Sequence, residues 1–247
     1  MIQWGLNGPE WGITTLSFIV INQWYRWSVV MADTLTTRLA VGSDVEMLHK
    51  IIHWAYRGGG PGKGWTGEED LIEGPRISIT ALAEEVEANS ALAEAHAIIL
   101  VAVDEGMDAE VVAERGSDVV GCIKVEKLDG GNAEVGLFAV DPSLQSRGAG
   151  SLLLGKAEQH AFGVYDVDET VIHVLSPRTD ILAWYGRKGY SPNGNTLPFP
   201  PPGTSEDDVG APRPRDGADL HFIELVKSPT SERTSERTSE RTSEASA

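Results

Sequence analysis

The chain has 247 residues, 41% of them apolar, and a formal net charge of -17. That length and apolar share suffice for one sizeable core or two small ones, whereas so acidic a balance excludes a broad nucleic-acid-binding face, which needs clustered Lys and Arg. Cys122 is the single cysteine, so there is no intrachain disulfide and no cysteine-based zinc site, and a reducing, cytoplasmic setting fits.

Residues 1–33 do not pattern like the remainder. Trp4, Trp11, Trp24 and Trp27 crowd together, and the apolar run Leu16 to Ile21 is too short to span a bilayer. No basic segment precedes that run, which argues against a signal peptide. We expect the native start at Met31, with the segment before the domain (1–33) a mis-assigned leader or a family-specific extension. Leu35 to Ala40 reads as a strand, and Ser43 with Glu46 as a capping box. The helix that follows carries Val45, Leu48, Ile51, Ile52 and Ala55 at helical spacing and runs to about Tyr56. His49 and His53 stand four apart on it, as a metal pair would, but no third ligand joins them and a surface or core-edge pair is expected.

After a Gly-rich turn, Ala81 to Ala95 reads as a second helix. Three apolar strands follow near Ala97 to Val103, Val119 to Glu126 and Ala133 to Val140. Cys122 lies in the middle one, where a free thiol behaves as a small hydrophobe. A helix is predicted from Gln145 to about Ala161, a strand over Thr170 to Leu175, and a helix capped by Ser176 with Pro177 first. Arg187, Lys188 and Gly189 close that helix. Asn193 to Ala218, with six prolines, reads as a long loop, and Leu220 to Val226 as a last strand. From Thr230 the sequence repeats Thr-Ser-Glu-Arg without apolar residues, and disorder is expected. The predicted folded domain is 34–228, with 1–33 and 229–247 outside it.

The most telling stretch joins the strand ending at Val140 to the helix after it. Gly148 and Gly150 open that helix beside Arg147, and a helix N-terminus with glycines lets a phosphate approach unpaired N–H groups. A dinucleotide fingerprint fails, because Leu153 stands where the third glycine belongs. Gly150 to Lys156 spells the phosphate loop of NTPases, yet Ala157 replaces the hydroxyl that holds magnesium. Gln145, Gly148 and Gly150 fit Q/R-x-x-G-x-G/A in full. In this turn the chain resembles the GCN5-related N-acetyltransferase (GNAT) superfamily. Trp184-Tyr-Gly-Arg-Lys-Gly-Tyr190 is similar to a second signature of that superfamily, and the order of elements agrees with its fold.

The resemblance implies an α/β fold, a mixed central sheet of about six to seven strands flanked by about four helices. It implies that Gln145, Ser146, Arg147, Gly148, Ala149, Gly150 and Ser151 hold the pyrophosphate of acetyl-CoA, and that Phe138, Ala139 and Val140 hold its pantetheine arm as an added strand would. Tyr185 matches the tyrosine that protonates the departing thiolate, a role its ordinary pKa near 10 permits. Glu134 matches a general-base glutamate, and a carboxyl raised by partial burial would serve. Where the superfamily often has Asn, this chain has Arg178, a candidate for a CoA phosphate or an acid group of the acceptor. Trp65, Thr66 and Glu68 in the Gly-rich loop, and Phe199 in the later one, are candidate walls of the acceptor pocket. The expected function is acetyl transfer from acetyl-CoA to a primary amine in a ternary complex, with no metal, nucleic acid or membrane involved. A homodimer is left open, and the alternative is a CoA-binding sensor or scaffold without catalysis.

Overall fold

The computed structural model of the chain describes residues 34–62, 64–88, 96–200, 212–215 and 219–229. Expectations for 1–33, for the helix end at 89–95 and for the tail from 230 lie outside the described residues. In chain order the elements are β1 (Leu35–Leu39), α1 (Val45–Arg57), β2 (Ile72–Glu73), α2 (Ile79–Ala88), β3 (Ala97–Asp104) and α3 (Ala109–Arg115). Then follow β4 (Val119–Lys127), β5 (Asn132–Val140), α4 (Ala149–Gly163), β6 (Glu169–Leu175), α5 (Thr179–Arg187), β7 (Ser191–Pro198), β8 (Arg213–Pro214) and β9 (His221–Lys227).

Seven strands make one mixed sheet in the order β1-β3-β4-β5-β6-β9-β7, and β2 with β8 makes a short second ladder. Every neighbouring pair in the large sheet is antiparallel except β5 and β6. One face packs on α1 and α2 through Leu48, Ile51, Ile52, Leu82, Val101 and Val119. The other packs on α4 through Ile123, Val125, Leu153, Leu154 and Ile172. A bulge between Cys122 and Lys124, matched by a positive φ of 44° at Leu137, breaks the alternation of β5. Ala133 and Val135 therefore join the α4 core, whereas Leu137 and Ala139 join the α1 core. By the same shift Phe138 and Val140 pack on the α4 side.

Four local expectations are corrected. The capping box of Ser43 and Glu46 does not form; Asp44 stands at the N-cap of α1, and its carboxylate accepts the Val41 N–H at 2.9 Å. The short helix α3 was not expected, although Asp108 caps it through the Glu110 N–H at 2.8 Å and left-handed Gly116 ends it. The helix predicted from Gln145 starts only at Ala149, because Ser146 (φ 67°) and Gly148 (φ 95°) hold conformations that a right-handed helix cannot use. Residues from Ser191 to Pro198, predicted as loop from Asn193 on, are an edge strand held by pairing with β9. Pro192 and Gly194 are tolerated there because the register with β9 is interrupted between Pro192 and Thr196.

Candidate active site

Parallel pairing of β5 with β6 covers only Asn132–Glu134 against Glu169–Val171. Beyond it the strands diverge, and a cleft of about 1030 Å³ passes between them. Val135 to Phe138 line one side and Ile172 to Leu175 the other, so each strand offers an edge without a strand partner there. The start of α4 closes one end; Phe199, Phe222 and Ile72 close the other.

At the first end Gly148 is the N-cap of α4 with φ 95° and ψ -11°, a left-handed conformation that glycine adopts freely. No side chain caps this helix, so its first N–H groups face the cleft with Ser146, Gly148, Ala149, Gly150 and Ser151 lining it. A Cβ on Gly150 would stand 3.4 Å from the Phe138 ring, within ordinary contact. Gln145 fixes the turn: its Nε2 donates to Val140 O at 3.3 Å and to Thr66 Oγ1 at 3.2 Å, while its Oε1 accepts the Trp65 N–H at 3.2 Å. Lys188, which the sequence suggested only as a helix-end cation, donates to Ser151 Oγ at 2.8 Å and lies 5.3 Å over the Trp184 ring. It brings positive charge to the turn. Arg147 does not; its guanidinium lies 4.0 Å from Asp104 and is not part of the cleft wall.

Arg178 is also corrected. Nε donates to Asp180 Oδ1 (3.1 Å), Nη1 to the carbonyls of Thr66 (2.9 Å) and Gly67 (3.0 Å), and Nη2 to Trp65 O (3.0 Å) and Asp180 Oδ2 (3.0 Å). A guanidinium has five N–H donors, and all are used. Arg178 therefore clamps the 65–67 loop to the start of α5 rather than offering a fork to phosphate. The loop residues shift with it. Trp65 packs 6.4 Å from Trp184, at the turn end of the cleft rather than the acceptor end. Thr66 spends its hydroxyl on Ala55 O, and Glu68, half-buried, is ion-paired through Oε2 with Arg57 at 3.0 Å. Burial raises the Glu68 carboxyl against that cation. The Thr66 hydroxyl is thus not free to donate to an acceptor, and Glu68 is already engaged by a cation. Ala139 is turned into the core, leaving only its backbone at the strand edge.

At the other end Glu134, on β5, meets a residue that sequence reasoning missed. His173 Nδ1 lies 3.3 Å from Glu134 Oε1, and its Nε2 lies 3.1 Å from Glu224 Oε2. Glu224 is itself held by the side-chain amides of Asn193 at 2.6 Å and Asn195 at 2.8 Å. A polar stripe thus crosses β5, β6, β9 and β7. The signal was present as a lone His between Ile172 and Val174 and a lone Glu between Ile223 and Leu225, but their pairing is across strands. The expectation of a Glu134 carboxyl raised by burial is overturned: the His173 hydrogen bond outweighs desolvation and holds it below its ordinary value. The His173 imidazole is raised, first by Glu134 and then, against burial, by Glu224. Arg76 lines this end with its guanidinium 5.5 Å over the Tyr56 ring, and Phe199 packs 5.6 Å from Phe222.

Tyr185 reaches the cleft from the α4 side of the sheet. It is 6% exposed, and its hydroxyl has no hydrogen-bond partner among the described residues. Burial pushes its pKa well above 10, so it remains protonated. Tyr56, across the splay, donates to Phe138 O at 3.2 Å.

The description "Acetyltransferase (GNAT) family" matches residues 80–190, which hold β3 to β6, the Gly148 turn and α5 through Tyr190. Over these residues, just under half of its length, the chain is similar to that family. This match supports an acetyl-CoA-dependent acetyltransferase. Solved GNAT-fold structures share its architecture. Spermidine N-acetyltransferase from Vibrio cholerae, in complex with CoA and spermine, is 16% identical with a TM-score of 0.51, over 79% of this chain and 96% of that one. Spermidine/spermine N-acetyltransferase SpeG from the same organism, with manganese ions, is 15% identical with a TM-score of 0.50, over 80% and 94%. No curated protein matches the chain in sequence.

The uncapped α4 N-terminus, the left-handed glycine and the open edge of β5 fit the pyrophosphate and arm of the acetyl-CoA that the GNAT family uses. Among the described residues no group of three or more His, Cys, Asp or Glu is arranged to hold a metal ion, and no helix is long and apolar enough to cross a membrane.

Proposed function

We propose that the cleft transfers acetyl from acetyl-CoA directly to a primary amine, both held at once. The observation that carries this reading is the splay of β5 from β6, which joins an anion-binding helix start to a carboxylate across one continuous cleft. Ser146, Gly148, Ala149, Gly150 and Ser151 would hold the pyrophosphate, aided by Lys188, and the free edge from Val135 to Val140 the arm. Acetyl-CoA supplies a thioester whose carbonyl carbon the amine attacks.

An alkyl ammonium, with a pKa near 10.4, must first lose a proton, and Glu134 stands where it accepts one. The N–C bond then forms as the C–S bond breaks. Tyr185 gives its proton to the leaving sulfur, and the surplus proton on the new amide nitrogen restores it through solvent. Tyr185 packs on the α4 side and Glu134 on the α1 side, so acid and base approach the splay from opposite faces. No covalent acyl-enzyme is required, and the buried Cys122, its thiol pushed up to about 12, is unsuited to form one.

Tyr185→Phe tests this reading against the sensor alternative. The expected result is a loss of thiol release of about a hundredfold or more with CoA affinity kept. An intact chain that binds CoA yet releases no thiol with any amine supports the sensor instead. A polyamine acceptor is a second reading, favoured by the Glu134 and Glu224 carboxylates beside the cleft and by the acceptor named for the solved relatives. Spermidine should then outcompete simple monoamines by kcat/KM.

A further inference from the structure

We propose that His173 is the proton store of the acceptor end, and that Glu224 fixes its tautomer so that Nδ1, facing Glu134, is the nitrogen that titrates. The proposal rests on the acetyl-transfer reading above and deepens it. Glu224 accepts from Asn193 and Asn195 through one oxygen and meets His173 Nε2 through the other, at 3.1 Å. A carboxylate held by two amide donors stays ionised and acts only as an acceptor. The Nε2 position must then carry hydrogen in either charge state, which leaves Nδ1 to gain or lose the proton against Glu134 Oε1 at 3.3 Å.

Glu134 facing a protonated Nδ1 is a weak base for this task, since that hydrogen bond holds its carboxyl below its ordinary value. With Nδ1 bare, the two groups form a unit that takes up a single proton nearer neutrality. The proton leaves the ammonium nitrogen, crosses the Glu134 carboxylate and ends on Nδ1, giving an imidazolium between two carboxylates. The freed amine keeps its lone pair for attack. Glu134 is the group that meets the acceptor, and His173 and Glu224 act through it. The groups facing this unit are Glu134 on β5, Glu224 and the Phe222 ring on β9, and Asn193 and Asn195 behind Glu224 on β7. Arg76 and Lys124 add positive charge near Glu134.

The sign follows. His173 is raised above 6.5, so activity should increase with pH as Nδ1 loses its proton and level off above that point. Glu224→Gln removes the anion on Nε2 and should move this limb to lower pH. His173→Gln should abolish the limb and lower kcat on the plateau by on the order of a hundredfold, with KM for acetyl-CoA unchanged. Full-chain protein with acetyl-CoA and an amine panel gives these profiles. A limb that stays in place in both variants overturns the proposal while leaving acetyl transfer intact; a wild-type chain without turnover instead sinks the transfer reading.

Histidine NMR of the wild-type chain, with His173→Gln for assignment, needs no activity or stable Glu224 variant. The expected state is Nε2–H at all pH values and a titration above 6.5. A neutral Nδ1–H form, or a titration at or below 6.5, overturns it.

Discussion

Replacing Arg178 with Ala should cost stability and leave cofactor affinity nearly unchanged. The side chain makes three bonds to the carbonyls of Trp65, Thr66 and Gly67 and two to Asp180. Asp180 is 50% exposed, so that pair is screened and contributes about 1 kcal/mol at most. Each carbonyl bond from a buried cation is stronger, roughly 1.5 kcal/mol net, and the loop cannot move freely into water because Trp65 N–H and Thr66 Oγ1 are tied to Gln145. The loss should be about 3–5 kcal/mol, a fall in Tm of roughly 6–20 °C for a domain of this size. Differential scanning calorimetry gives the first number and isothermal titration with CoA the second. CoA affinity should change by less than about threefold, well under 1 kcal/mol. A Tm within about 2 °C of wild type, with CoA affinity reduced tenfold or more, would make Arg178 a phosphate ligand and refute the clamp.

Gly148→Val forces a branched side chain into φ 95° and should weaken CoA binding by at least about tenfold, measured by titration; unchanged affinity would remove the turn from the cofactor site. Cys122 is fully buried, donates to Leu137 O and is raised to about 12, so iodoacetamide at neutral pH should label it only after denaturant unfolds the chain. The Glu134–His173–Glu224 chain should also give stability a pH signature. The raised His173 contributes fully below its unfolded value of 6.5 and loses that contribution as pH rises through its folded value. The lowered Glu134 and Glu224 contribute above 4.5 and lose it as pH falls through theirs. Urea unfolding should therefore show the largest wild-type advantage over His173→Gln between about 4.5 and 6.5, and a flat difference across pH would contradict the pairing.

Much of this architecture was legible because its causes are local. Strands β3 to β6 are apolar runs closed by Asp and Gly, and the Gly148 turn is written in six residues. Helix α3 carries its own signals in Asp108 and Gly116, but seven residues between two strong strands give no helical apolar period. β7 was hidden for a different reason: a polar strand with Pro192 and Gly194 has no pattern of its own and exists through its bonds to β9. The site divides similarly. The turn and Tyr185 were readable from spacing, whereas an arginine's type does not reveal whether its donors meet phosphate or the carbonyls of a loop over a hundred residues earlier. His173 and Glu224 become a unit only when β6 and β9 pair, a register that neither strand's sequence specifies alone.

The most direct test of the account is whether thiol release and amine acetylation proceed together in the purified chain. With acetyl-CoA and a primary amine, free thiol should appear at a rate that saturates in both, with one acetylated amine per thiol and none in the absence of the amine. Tight CoA binding without thiol release across polyamines, monoamines and lysine peptides would contradict it.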